Sequence, residues 1–148
     1  MMSPEFRQLE ELCGAPLSPA WLQMQQDYPA ELTQALRVDE DDEISGRVSE
    51  VELLQCPASI LEINLEARSG PVVTPENKAF DWPAELLVIG ESGDGDYFCI
   101  DLRDEVHGVV QFVSQTSRFE QLTDTLDEYV EMLIMAFCED AETEDELN

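Results

Sequence analysis

The chain has 148 residues, with 34 Asp and Glu against 7 Lys and Arg, a formal net charge of −27. Phosphate backbones and anionic membrane surfaces are repelled by such a chain, which argues against nucleic-acid and membrane binding; the acidity serves solubility alone or selects a basic protein partner. At 43% hydrophobic content it is long and apolar enough for one domain with its own core.

Cys13, Cys56, Cys99 and Cys138 stand far apart, with no CxxC spacing. Buried free thiols in a reducing cytosol are expected, with two disulfides in an exported protein as the weaker alternative. The opening MMSPEFRQLEEL lacks an apolar signal region, and no apolar run reaches the length of a membrane span. A cytoplasmic protein is the expectation.

In chain order, Ser3-Pro4 is a helix start, with Phe6, Leu9 and Cys13 at helical spacing and Gly14 as the stop. Ser18-Pro19 repeats the signal for a helix carrying Trp21, Leu22 and Met24. Tyr28-Pro29 breaks it and opens another turn or two, with Leu32 and Leu36 four apart. The N-terminal third therefore reads as helical. Asp39, Glu40, Asp41, Asp42 and Glu43 follow as a charge run that disfavours compact structure and predicts a loop, either a solvated linker or a partner-contacting surface. Val51–Leu54 is a short strand or the approach to a helix, which Pro57 starts and Ile60, Leu61 and Ile63 line. Residues 68–79, with Gly70, Pro71 and Pro75, read as a long connection.

Residues 82–102, WPAELLVIGESGDGDYFCIDL, carry the most specific pattern. Leu86–Gly90 and Tyr97–Leu102 are apolar strands around a Glu91–Asp96 turn. Gly93 and Gly95 there can take positive φ without a Cβ clash. Trp82-Pro83 belongs before the first strand, because Pro83 cannot donate to a ladder. Val109–Val113 alternates as a strand buried on both sides, and Phe119–Leu122 returns as a fourth. Thr125 and Glu128 form a capping-box pattern before Leu126, Val130, Leu133 and Phe137, one stripe of an amphipathic helix. Helices, then an antiparallel meander, then a helix packed on the sheet define an α+β fold. Residues 1–138 form one domain, and the acidic tail at 139–148 is expected to be disordered.

Chemistry-bearing patterns are sparse. His107 beside Gly108 reads as a turn residue at a strand entrance rather than a general base, and no short-spaced Cys or His set offers a zinc site. Glu91, Asp94 and Asp96 do not fit a calcium loop, and GESGDG lacks the lysine and following helix of a phosphate cradle. No catalytic, cofactor-binding or metal-binding residue is assigned.

Trp82, Pro83, Leu86-Leu87, Ile89-Gly90, Gly93, Gly95-Asp96, Tyr97 and Asp101-Leu102 together resemble the central motif of the SUKH superfamily, the Smi/Knr group. The proline-led helix after Tyr28 and the strand, strand and capped helix from Val109 resemble its flanks, so the resemblance spans roughly residues 28–137. Two departures stand out: Asp39–Glu43 lies where the family often has an Asn-Gly-Gly-like turn, and Ser114–Ser117 replaces an acidic or His-containing pattern. The resemblance implies a non-catalytic protein-binding module without a cofactor. Bacterial members look like immunity proteins that block toxin domains, many of them nucleases, and fungal members are linked to cell-wall regulation through protein contacts. The expected function is toxin neutralisation, with a general intracellular interaction module as the alternative and an enzyme as the remote one. The expected partner is a protein, a basic toxin domain fitting best, contacted by Asp39–Glu43. The motif residues are expected to be structural.

Overall fold

The computed structural model describes residues 3–38, 44–92, 95–103 and 107–139. The first helix, α1 (Pro4–Cys13), starts where Ser3 Oγ accepts from Phe6 N at 3.3 Å, and ends at Gly14, whose φ of 66° suits a residue without Cβ. The second, α2 (Pro19–Gln26), repeats the device with Ser18 Oγ and Trp21 N. Glu10 reaches forward to accept from Leu17 N at 2.9 Å and fixes the turn between them. Phe6 and Trp21 meet at 5.1 Å, over a core that includes Leu9, Cys13 and Leu17. Pro29 leads the short α3 (Ala30–Gln34), which buries Leu32.

The helical reading of the first third stops there. Ala35 turns extended, and β1 (Leu36–Val38) pairs antiparallel with β2 (Ile44–Arg47). Strands of three and four residues are too short to show a period in sequence. A 3₁₀ turn at Val48–Glu50 and an irregular stretch lead to α4 (Pro57–Ala67). The long connection after it contains a small hairpin, β3 (Val72–Val73) with β4 (Ala79–Phe80).

The main sheet is an antiparallel meander of β5 (Leu86–Glu91), β6 (Tyr97–Asp101), β7 (Val109–Val113) and β8 (Arg118–Thr123). Leu86, Leu87, Val88, Ile89 and Gly90 of β5 are all buried, although β5 is an edge strand. Its outer rim is therefore covered by side chains and loop. Asn64 of α4 imitates a neighbouring strand: its Oδ1 accepts from Val88 N and its Nδ2 donates to Val88 O, both at 2.9 Å. Leu54 N donates to Ile89 O, and Glu91 N donates to Val51 O. Arg68 Nη2 and Trp82 Nε1 both donate to Leu86 O. An open edge would template pairing with another chain; here those groups are occupied. The 51–54 stretch thus runs as an irregular rim beside β5. It comes so close that a Cβ on Gly90 would lie 1.9 Å from the Glu52 carbonyl oxygen.

The last helix, α5 (Leu126–Ile134), is capped by Thr125 Oγ1 accepting from Glu128 N at 3.0 Å. Leu133 is buried and Leu126, Val130 and Phe137 are half-buried, as the stripe predicts, but the most deeply buried residue of the helix is Tyr129. Its ring lies 5.4 Å from Phe98 of β6, and its hydroxyl donates to Glu52 O at 2.5 Å. Tyr28 donates to the next carbonyl, Leu53 O, so two phenols grip the rim segment from two sides. Burial, with the Glu52 charge second, pushes both phenols upward, so they stay donors across the ordinary pH range. The helix winds on into a π-helical turn at Met135–Glu139; the rest of the acidic tail lies outside the described residues.

One cysteine departs from expectation. Cys13 and Cys99 are buried free thiols, whereas Cys56 is a free thiol exposed at the start of α4. The Pro57 helix start that follows it places it on the surface, where the Ser59 N–H and hydroxyl and the Ala58 N–H favour its thiolate and draw its pKa down.

Candidate functional site

The described residues of the motif at 82–102 pack around Trp82. Tyr97, Phe112 and Phe119 stand in register across β6, β7 and β8. Trp82 meets all three edge-on, at centroid distances of 5.6, 5.3 and 5.4 Å. Pro83 O accepts from Leu86 N and sets the entry into β5. Ser92 N donates to Asp96 O across the turn, and Gly95 takes a φ of 98°. Gly93 lies outside the described residues. Asp101 Oδ1 accepts from Arg103 N at 2.9 Å just after β6.

Asp96 ties this turn to the next one. Its Oδ1 accepts from Ser114 N and Ser114 Oγ at 2.9 Å, and its Oδ2 accepts from Gln111 Nε2 at 3.0 Å. Partial desolvation raises the carboxyl, but these three donors outweigh it and hold Asp96 below the usual carboxylate range. The serine-rich turn after β7 is therefore the partner of the hairpin aspartate. Ser117 of that turn donates to Val73 O at 2.8 Å and docks β3 beside it.

Asp39–Glu43 lies outside the described residues; the strands on either side of it, β1 and β2, are paired. Past the end of β2 the structure assembles acidic residues that are scattered in sequence. Glu50, Glu62, Glu66 and Glu91 line a cavity of about 150 Å³ with Leu54, Ile63 and Ser59. Glu50 accepts from Arg47 N at 3.5 Å, at the end of β2. Tyr97 borders the same region: burial first, then the charges of Glu66 and Glu91, push its phenol up. The four carboxylates come from the 3₁₀ turn, α4 and β5. Their only sequence signal is the i, i+4 spacing of Glu62 and Glu66, which puts both on one helix face. Such a cleft suits a Lys or Arg side chain offered by another protein. Among the described residues, no group of three or more His, Cys, Asp and Glu is arranged to hold a metal ion.

His107 is exposed and shares a shallow depression with Asp101, Gly108, Asp124 and Thr125. A larger groove of about 400 Å³ lies between α1, α2 and α4, lined by Phe6, Leu22, Gln25, Gln26 and Gln55. Ser18 and Thr125 line the depression with His107, but both hydroxyls serve as helix N-caps, accepting from Trp21 N and Glu128 N; the groove's lining holds no His, Asp or Glu to act as a base. No helix among the described residues is long and apolar enough to cross a membrane.

These features define an α+β domain with a braced central sheet and an acidic surface beside its β5 edge. The chain belongs to the SMI1 / KNR4 family (SUKH-1), whose family model it matches over residues 9–132. Members of this family are known as immunity proteins in toxin systems and are generally non-catalytic. Searches of curated proteins and of solved structures found no significant match.

Proposed function

We propose that this protein is an immunity protein that binds a basic toxin domain, a nuclease domain fitting best, and neutralises it by occupying its cationic surface. The observation that carries this reading is the pairing of SUKH-1 membership with a net charge of −27. A nuclease must present positive charge to hold a phosphate backbone, and an anionic protein is steered onto that same surface. The protein acts by contact, without catalysis and without a cofactor. Its working compartment is the cytoplasm, in keeping with the free thiols of Cys13, Cys56 and Cys99.

Asp39, Glu40, Asp41, Asp42 and Glu43 are the leading contact residues of this reading. The acidic cleft of Glu50, Glu62, Glu66 and Glu91 adds to that contact in this reading, Glu50 accepting from Arg47 N at the end of β2. Co-expression with any toxin domain encoded beside the gene tests the function. Survival of cells that the toxin alone kills, with a stoichiometric complex on purification, is the expected result. Unprotected cells and no complex would remove the immunity reading.

A further inference from the structure

The outward face of α5 has no counterpart in the core. Met132 is 37% and Met135 57% exposed, side by side on a helix whose other face is packed. With Glu128, Glu131 and Ala136 they line an open depression of about 500 Å³. Methionine is unbranched and polarizable and adapts to differently shaped apolar groups, which makes it a good contact residue and a poor choice for plain solvent exposure. The backbone changes from α-helical to π-helical at Met135, a deviation common at functional positions.

Charge identifies what this face can accept. No Lys or Arg follows Arg118 in the sequence, and α5 has no basic residue in its last turn. The glutamates beside the methionines therefore have no basic residue on their own helix, and the field at this face is negative. A second copy of the chain would bring another net charge of −27 to that field, so self-association through this face is opposed. Residues 140–148 include five Asp and Glu and no Lys or Arg, so they offer this face no positive charge. A basic protein surface carrying an apolar or aromatic side chain satisfies both the methionines and the glutamates beside them.

We infer that the Met132–Met135 face of α5 is an anchoring surface for an apolar side chain flanked by Lys or Arg on the protein partner. The inference rests on the proposed binding of a basic partner and adds a place for the apolar part of that contact. Interfaces draw most of their energy from a few such anchors, with charges around them setting encounter and orientation.

The test uses the full chain with ¹³C-labelled methionine methyl groups, assigned by single Met→Leu variants. Two synthetic peptides serve as probes, Lys-Lys-Trp-Lys-Lys and Lys-Lys-Ala-Lys-Lys. The expected result is that the tryptophan peptide shifts the Met132 and Met135 methyls, leaves Met24 unmoved, and binds about tenfold more weakly to the Met132→Ser/Met135→Ser protein. The alanine peptide should leave all three methyls in place. Equal shifts with both peptides, or unchanged affinity in the double variant, would overturn the inference. So would methyl shifts that follow protein concentration alone, which would assign the face to self-association. If the toxin domain binds and neither methyl moves, this face is wrong and the immunity reading stands. If the peptide seats as expected but cells are not protected, the face stands and the immunity reading falls.

Discussion

Gly90 and Asp96 show how single residues of the motif hold two parts of the molecule together. Gly90 is needed because the backbone of Glu52 passes over it, so that a Cβ at this position would come within 1.9 Å of the Glu52 oxygen. Gly90→Ala must push the rim segment off β5, at a cost of about 2–3 kcal/mol in urea unfolding; an unchanged midpoint would mean the rim is not seated against β5. Asp96 works through charge and hydrogen bonding. Its folded pKa is lowered, so its stabilisation is present above the unfolded value of about 3.9 and is lost as pH falls through the folded value. Because the group is partly solvated, Asp96→Ala should cost only about 1 kcal/mol near pH 7. The difference from wild type should shrink in unfolding measured near pH 3, and a gap that is the same at both pH values would contradict the assigned role.

Among the elements, the outer rim of β5 decides whether the sheet stays monomeric in its pairing. Asn64→Leu keeps the side-chain volume but leaves Val88 N and O unmatched in a buried position. About 2–4 kcal/mol of stability should be lost, with faster hydrogen exchange at Val88. Unaltered exchange there would show that water or another group replaces Asn64. Elements with strong local signals are legible in the sequence: Ser3-Pro4 to Gly14, Pro57, the hairpin around Gly95, and Thr125. What stays hidden depends on distant partners. The β1–β2 pair is too short for a period to show, and Asn64 in an apolar helix gives no hint that a strand edge needs it. Tyr129, three residues after Leu126 and four before Leu133, shares the face of the predicted stripe; what local spacing does not show is its partners, Phe98 and Glu52 O, on other elements. The acidic cleft is equally invisible, since Glu50 and Glu91 join Glu62 and Glu66 only after the rim has folded onto β5.

At the scale of the whole molecule, a scaffold whose β5 edge is covered carries an excess of negative charge that the chain's few cations do not neutralise. The charge is free to act on a partner, and the SUKH-1 family supplies the kind of partner. Neutralising Asp39–Glu43 to Asn and Gln should slow association with the toxin domain more than it alters the thermal midpoint, since the run offers charge and no apolar side chain to a core. Equal association rates at low salt would remove the run from the interface. The most direct measurement is the stopped-flow association rate of the wild-type chain with that toxin domain at low and high salt. A charge-steered encounter predicts a fall of about tenfold or more between roughly 20 mM and 500 mM NaCl. A rate that does not change with salt would contradict the account.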